Sequence, residues 1–392
     1  MRILNAFNLA QDAYNVTQAM RSRNIDADLL ITSRESSVFS IPLWEEGTVD
    51  EKLFGDPLSP NPQIVKNFRM PEWVKVVDVK LRHPAFNSLE LLPKLYPIFK
   101  KYDIVFAHFP GSMFAMLCNC NYVPYDEGMI RYFPFSENPL PPHKKKRLYI
   151  TISYSLLKKS YEKADIILFT NPDTIHIFEK ANLKTQFVPF AIPCDRYRPG
   201  PKRGLFKDYE LVFFMPSRQH WVEKGNDRVI KAYKKFLLHN PNSLLIMVSW
   251  GTDVLASKGL IKELGIPSRN IRLVEPMSKN NLVRMYNEAD VILDQFTLGC
   301  WGTTTPEAMA CEKPVIMYYD EAAIRRCFGS LPPVLNAHKP EEILSKMEMC
   351  QDSNLRYKCG EQGREWVKRT HDPSLVVDIH LKVAEKVLEK KM

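Results

Sequence analysis

Two doubly wound parallel-sheet α/β domains facing a central cleft are the fold class this sequence predicts, on three observations. Short β-branched runs alternate with helical periodicity from end to end, the pattern of parallel strands covered by helices on both faces. Between 189 and 207 the composition turns to Pro193, Pro199, Gly200, Pro201 and Gly204 among charged residues, which reads as a break between two such series. In the second series a loop with Gly299 and Gly302 runs from a strand into a helix, the layout of an anion site at the end of a parallel strand. A chain of 392 residues, 45% hydrophobic and 25% charged, has the material for two cores, which excludes disorder and fibrous folds.

Taken in order, the first series places strands at residues 2–5, 27–32, 74–79, 104–108, 166–170 and 186–188, giving a first domain over 1–195. Segments 33–71 and 122–142, rich in proline and charge or in proline and aromatics, are expected as long irregular loops of that domain. A linker spans 196–209 and a second domain 210–372, with strands at 211–215, 244–249, 271–274, 291–294 and 315–318. Its helices fall at 227–238, 280–288 and 304–311, and residues 373–392 hold a last amphipathic helix, centred on 375–391.

The first residues run straight into a strand pattern without an apolar leader, and no run of about 18 apolar residues occurs, so neither export nor a membrane span is expected. Eight scattered cysteines fit a reducing, cytoplasmic setting. Cys118 and Cys120 have no finger or ribbon spacing around them, so no metal site is assigned. A net charge of +9 attracts anions, whether nucleic acid, acidic lipid or phosphorylated small molecules. No zinc-finger spacing, RNA-binding aromatic signature or recognition helix accompanies it, which excludes nucleic acid as partner. The run Lys144, Lys145, Lys146 and Arg147 is either a solvated face or a seat on an anionic membrane surface at the inner face of the membrane.

Two motifs carry chemistry. Residues 217–225 follow a strand and precede a helix, which points Arg218 and Lys224 into the crevice at the strand ends; they suit a diphosphate, or are two loop cations on the surface. The second motif runs from Asp294 through Gly299 and Gly302 to Thr303, Thr304, Pro306 and Glu307. Free amides at the helix start hold phosphate oxygens, and Glu307 accepts ribose hydroxyls or simply steadies the helix dipole.

The order of these motifs, with Lys224 and Gly225, the stretch 273–282, Tyr286, residues 289–291 and the core of 302–314 around Glu307, resembles the retaining glycosyltransferases of the GT-B fold, the group 1 family that includes glycogen synthases and mannosyltransferases. The resemblance covers roughly 211–371. It implies two Rossmann-like domains, the first for the acceptor and the second for a nucleotide-sugar donor, with the last helix crossing back to the first domain. It further implies retention of anomeric configuration in glycan or glycolipid assembly, no cofactor and no metal, and an acceptor that is a glycan or lipid-linked. Arg218 and Lys224 would hold the donor diphosphate and stabilise the leaving group, with Gly302, Thr303, Thr304 and Glu307 completing the donor site. Gly299 stands where the family has a sugar-binding glutamate, and Asp294 or Gln295 is the expected substitute. His108, at the end of a strand, is expected to touch the transferred sugar. The segment from Asn8 to Asn15, with Asn8 and Asp12 as acceptor-side candidates, occupies the place of the family's glycine-rich loop without its glycines. Two rival readings remain: a noncatalytic nucleotide-sugar binder and a sugar-nucleotide epimerase on the same fold.

Overall fold

The computed structural model describes residues 1–34, 40–46, 55–56, 59–60, 69–80, 84–132, 135 and 147–390. It divides into two units, Met1–Ala191 with Pro373–Met392, and Ile192–Asp372.

In the first unit the strands are β1 (Ile3–Ala6), β2 (Ala27–Arg34), β3 (Gly55–Asp56), β4 (Ser59–Pro60), β5 (Val74–Lys80), β6 (Ile104–His108), β7 (Tyr122–Asp126), β8 (Ile167–Phe169) and β9 (Thr185–Phe187). Seven of them form a parallel sheet in the order β5-β2-β1-β6-β7-β8-β9, while β3 and β4 make a small antiparallel hairpin. Successive side chains of a strand face opposite ways. Ile3, Ile104 and Phe106 accordingly enter one core with Val16, Met20, Val376, Val377 and Val383, and Leu4, Val105 and Ala107 enter another with Leu91, Leu95 and Phe114.

The strand β7 falls at the start of a segment expected to be irregular. Its Pro124 reads against a central strand because it lacks an N–H. The structure tolerates it because pairing with β8 begins one residue later, at Tyr125. Within 33–71, Arg34 extends β2, and the helix Pro42–Glu46 buries Leu43 and Trp44 against Ala13, Leu29 and Ile31. Most of that segment, and Lys144, Lys145 and Lys146, lie outside the described residues; Arg147 opens the helix Arg147–Glu162.

The second unit holds β10 (Leu211–Met215), β11 (Ser243–Val248), β12 (Ile271–Val274), β13 (Val291–Leu293), β14 (Val315–Met317) and β15 (Leu335–Asn336), all parallel, in the order β12-β11-β10-β13-β14-β15. The short edge strand β15 has no counterpart in the sequence reading, since two residues carry no periodicity. The helix Asn226–Leu237 buries Val229, Ile230, Tyr233 and Phe236 at helical spacing against Leu211, Phe213 and Leu245. Residues 192–209 group with this unit: the Gly200 and Leu205 amides donate to Asn287 (2.8 Å) and Glu288 (3.1 Å). Among the described residues no helix is long and apolar enough to cross a membrane.

The helix Pro373–Glu389 packs into the first unit, placing His380 edge-on to Phe106 at 4.8 Å and stacked on Tyr125 at 5.5 Å. Burial lowers the His380 pKa to about 4, against the opposing pull of the Val376 carbonyl 2.7 Å from Nδ1. A histidine whose folded pKa lies below its ordinary value stabilises the fold above pH 6.5 and loses that contribution as the pH falls through 4. Replacing His380→Phe, which keeps the ring packing, is expected to reduce the acid loss of stability between pH 6.5 and 4 by roughly 3 kcal/mol, read from urea unfolding at each pH.

Candidate functional site

In each sheet the strand order reverses once, between β1 and β6 in the first unit and between β10 and β13 in the second. At such a reversal the connections leave toward opposite faces, and a crevice opens beyond the carboxyl ends of the two strands. The residues singled out in the sequence follow these four strands.

In the second unit the loop after β10 is fastened to the end of β13. The Ser217 hydroxyl donates to the Asp294 carbonyl at 3.0 Å, and the Phe296 amide donates to the Lys224 carbonyl at 3.0 Å. Gly225 has φ +66°, and a Cβ there would stand 3.1 Å from that of Phe296, so two features demand glycine between the short helix Trp221–Lys224 and the next. Gln219 is buried and bonded to the Val248 carbonyl (3.1 Å) and the Ser257 hydroxyl (2.8 Å), holding the loop over β11. Arg218 pairs with Glu223, whereas Lys224 has no ion-pair partner among the described residues. The Lys224 charge is nonetheless felt by Asp294, whose pKa is raised by burial and partly restored by that lysine and by Thr305.

Glu307 lies in the first turn of the helix Thr304–Ala310 and is buried. One of its oxygens is paired with Lys279, the other accepts from the Tyr286 hydroxyl at 3.2 Å. The Lys279 ammonium also reaches the Thr303 hydroxyl at 3.3 Å and lies 5.9 Å from the centre of the Tyr197 ring. A carboxylate has about four acceptor sites, so each Glu307 oxygen keeps capacity for a further hydroxyl. Thr303, Thr304 and Gly302 line the start of this helix, where no side chain caps the first amides and a Cβ at Gly302 would meet nothing within 4 Å. Asp294 is buried, and its carboxylate accepts from Thr305 at 2.8 Å. Gln295 is consumed by its own loop, donating to the Leu298, Cys300 and Tyr318 carbonyls and accepting from the Leu298 amide at 2.8 Å. Gln295 therefore projects no free group toward the position of Gly299 and shapes the loop that carries it, whereas the Asp294 carboxylate is engaged through one oxygen.

In the first unit Asp12 and His108 come together at the reversal between β1 and β6, joined by Glu127 just past β7. His108 Nδ1 lies 3.0 Å from Glu127, and the imidazole stacks on Tyr125 at 4.2 Å. Burial pushes the Asp12 carboxyl up to about 7, with Glu127 adding to it and His108 opposing; it drives His108 down to about 4 and Glu127 well above the usual carboxylate range. The Tyr125 hydroxyl and the Ala191 amide act on Asp12 as well, yet neither makes a well-aligned hydrogen bond to it.

Asn8, expected on the acceptor side, instead spends its amide on structure. It donates to Gln11 (3.0 Å) and the Ser40 carbonyl (2.9 Å) and accepts from the Tyr14 amide (3.1 Å). This network holds a turn in which Phe7, Ala10 and Gln11 all have positive φ, a conformation that costs non-glycine residues of order 1–3 kcal/mol each when strained. It is how the chain dispenses with a glycine-rich loop.

Sequence reasoning missed Lys279 and Glu127. Lys279 opens a helix whose dipole repels a cation there, and that misfit was a signal of a buried anion nearby. Glu127 follows Asp126 directly after an apolar strand, two carboxylates at a strand end that the expected loop assignment concealed.

Two Rossmann-like parallel-sheet units, each with charged loops at its reversal, have the GT-B fold. Over its whole length the chain is similar to sucrose-phosphate synthase from Thermosynechococcus elongatus (TM-score 0.66, 14% identity, 100% of both chains). It is also similar to Alr3699/HepE of Anabaena, solved with UDP and glucose (TM-score 0.68, 12% identity, 98% and 99%). Residues 200–366 match the family Glycosyl transferases group 1. A D-inositol 3-phosphate glycosyltransferase of Corynebacterium jeikeium is 23% identical over 222 residues, 51% of this chain and 52% of that one. The chain thus spans about half the length, or less, of the curated relatives it matches.

Breaking a buried ion pair from one side costs about 3–5 kcal/mol, because the remaining charge is left uncompensated. Lys279→Met is therefore expected to destabilise the second unit by about that amount, and the double variant Lys279→Met, Glu307→Gln to recover much of it, as read by denaturant unfolding.

Proposed function

We propose that the chain is a glycosyltransferase that moves a sugar from a nucleoside-diphosphate donor to an acceptor hydroxyl. What supports this reading is the second sheet's reversal point: the loop that carries Arg218 and Lys224 follows β10, and the loop after β13 leads into the uncapped start of Thr304–Ala310, with the buried Glu307 in its first turn. The match of 200–366 to the group 1 family supports it. Cleavage of the sugar–diphosphate bond builds negative charge on the departing phosphate, and cations and amide dipoles already aimed there lower that barrier without reorganising. Arg218 offers a planar fork and Lys224 a point charge, with the helix-start amides as a third donor set. In this reading Arg218 leaves Glu223 for the phosphate, and Glu307 takes the ribose hydroxyls on the acceptor sites that Lys279 and Tyr286 leave open.

The finer points belong to the same proposal. Retention would follow from attack on the face that the diphosphate leaves, with no dedicated base and no metal or other cofactor at the diphosphate. His108, Arg218 and Lys224 are the catalytic candidates. The acceptor is a glycan or lipid-linked hydroxyl handled by the first unit, in a cytoplasmic setting, with Lys144, Lys145, Lys146 and Arg147 as a contact to anionic lipid. Gly299 leaves the donor sugar without a carboxylate at that position, which favours a donor recognised by neutral groups.

Titration calorimetry with UDP, GDP and ADP tests the donor site. One diphosphate is expected to bind at roughly micromolar Kd, and Arg218→Ala with Lys224→Ala is expected to weaken it by about 100-fold or more. Glu307→Ala should weaken it less, through the ribose alone. Binding that survives both changes would remove the donor-site assignment.

A further inference from the structure

The least satisfied polar cluster among the described residues is in the first unit. Both Asp12 carboxylate oxygens, His108 Nε2, Glu127 Oε2 and the Tyr125 hydroxyl are buried without a well-aligned hydrogen bond. Asp12 is 1% exposed and His108 0%, and the Glu127 side chain is 4% exposed. Buried polar groups are ordinarily paired, and a buried carboxylate with neither a hydrogen bond nor a counter-ion costs more than any other single defect of a core. Here Asp12 is such a carboxylate, Glu127 has only the His108 imidazole as partner on one oxygen, and no lysine or arginine pairs with either among the described residues. Asp126, the neighbouring acid, takes no part: it is satisfied by the Gly128 and Ile130 amides and the Tyr161 hydroxyl at 2.8–3.1 Å.

We propose that Asp12, His108 and Glu127 bind a divalent metal ion of the manganese or zinc class. One ligand atom from each residue lies within 4.8 Å of the other two. The His108–Glu127 separation of 3.0 Å matches the roughly 3 Å between two adjacent ligands that each stand about 2.1 Å from one ion. Opposite ligands of an octahedral ion are about 4.2 Å apart and neighbouring ligands of a tetrahedral one about 3.4 Å, so the cluster must contract by less than about 1.5 Å to close. Two carboxylates and a neutral imidazole favour manganese or zinc over magnesium, which seeks oxygen alone and keeps its waters, and over soft ions, which seek sulfur. A divalent cation cancels both carboxylate charges at once and gives the Asp12 carboxylate the partner it lacks. Three protein ligands leave coordination positions for water or an acceptor oxygen. The backbone supports the site: the turn with positive φ at Phe7, Ala10 and Gln11 delivers Asp12, and Gly111, where a Cβ would meet the Phe7 ring at 3.0 Å, lets the loop after β1 lie against the helix that follows β6.

The proposal is independent of the donor site, and its test does not use activity. The full chain, stripped with a chelator, is titrated by calorimetry with manganese alone and with zinc alone, and the manganese spectrum is followed by electron paramagnetic resonance. One equivalent of at least one ion is expected to bind. Removing groups that merely orient metal ligands weakens binding about 10–100-fold, so Asp12→Asn and Glu127→Gln, which lose a ligand charge, are expected to weaken it by about 100-fold or more. Asp12→Glu, which keeps a carboxylate, should retain more than Asp12→Asn. Circular dichroism confirms that each variant is folded. Absence of binding at millimolar ion, or binding that Asp12→Asn and Glu127→Gln leave unchanged, overturns the site. So does a chelated protein made more stable by Asp12→Asn and indifferent to both ions, which would identify a proton shared between the two carboxyls.

Discussion

A parallel sheet whose strand order reverses cannot close over its own carboxyl ends, and that constraint organises both units. At the reversal the two neighbouring strands send their connections to opposite faces, so the backbone groups between them find no covering element. Asp12 and His108 in the first unit, and the loops that carry Arg218, Lys224 and Asp294 in the second, stand at these gaps. In the second unit the gap between β10 and β13 is drawn together by two hydrogen bonds, Ser217 to the Asp294 carbonyl and Phe296 to the Lys224 carbonyl. In the first, the gap between β1 and β6 receives Asp12 from one strand and His108 from the other.

The two gaps balance their charges differently. Beyond β10 and β13 stand Arg218, Lys224 and Lys279, with Glu223, Asp294 and Glu307 set against them. Beyond β1 and β6 stand Asp12 and Glu127, with only an imidazole between them. A net charge of +9 for the whole chain describes neither. Overall charge alone therefore chose no ligand class.

Much of this was legible in the sequence where periodicity or turn chemistry leaves a signature. The strands β10, β11, β12 and β14 and the helix Thr304–Ala310 were found within about one residue, because apolar runs bounded by glycine, proline and threonine leave few alternatives. The strand β7 was hidden by Pro124, β15 by its two-residue length, and the hairpin of β3 and β4 by composition typical of loops. At the candidate sites, Asp12, His108, Arg218, Lys224 and Glu307 were named, each at the end of a predicted strand or the start of a helix. What could not be read was pairing across long separations: Lys279 is 28 residues from Glu307 and Glu127 is 19 from His108. Nothing in local patterning specifies such partners, and the same blindness let Asn8, whose amide is spent on Gln11, Ser40 and Tyr14, stand as a ligand candidate.

The first unit is built from both ends of the chain, with residues 192–372 between them. Val376, Val377, Val383, Ala384 and Val387 complete the core around Val16, Met20 and Ile104. During synthesis that core therefore waits, its apolar face open, for roughly 10 to 40 s while the intervening 181 residues are made at about 5–20 residues per second. Of the two units, the one that begins first is the one that finishes last, and over that interval its open apolar face is a site for aggregation or for a chaperone.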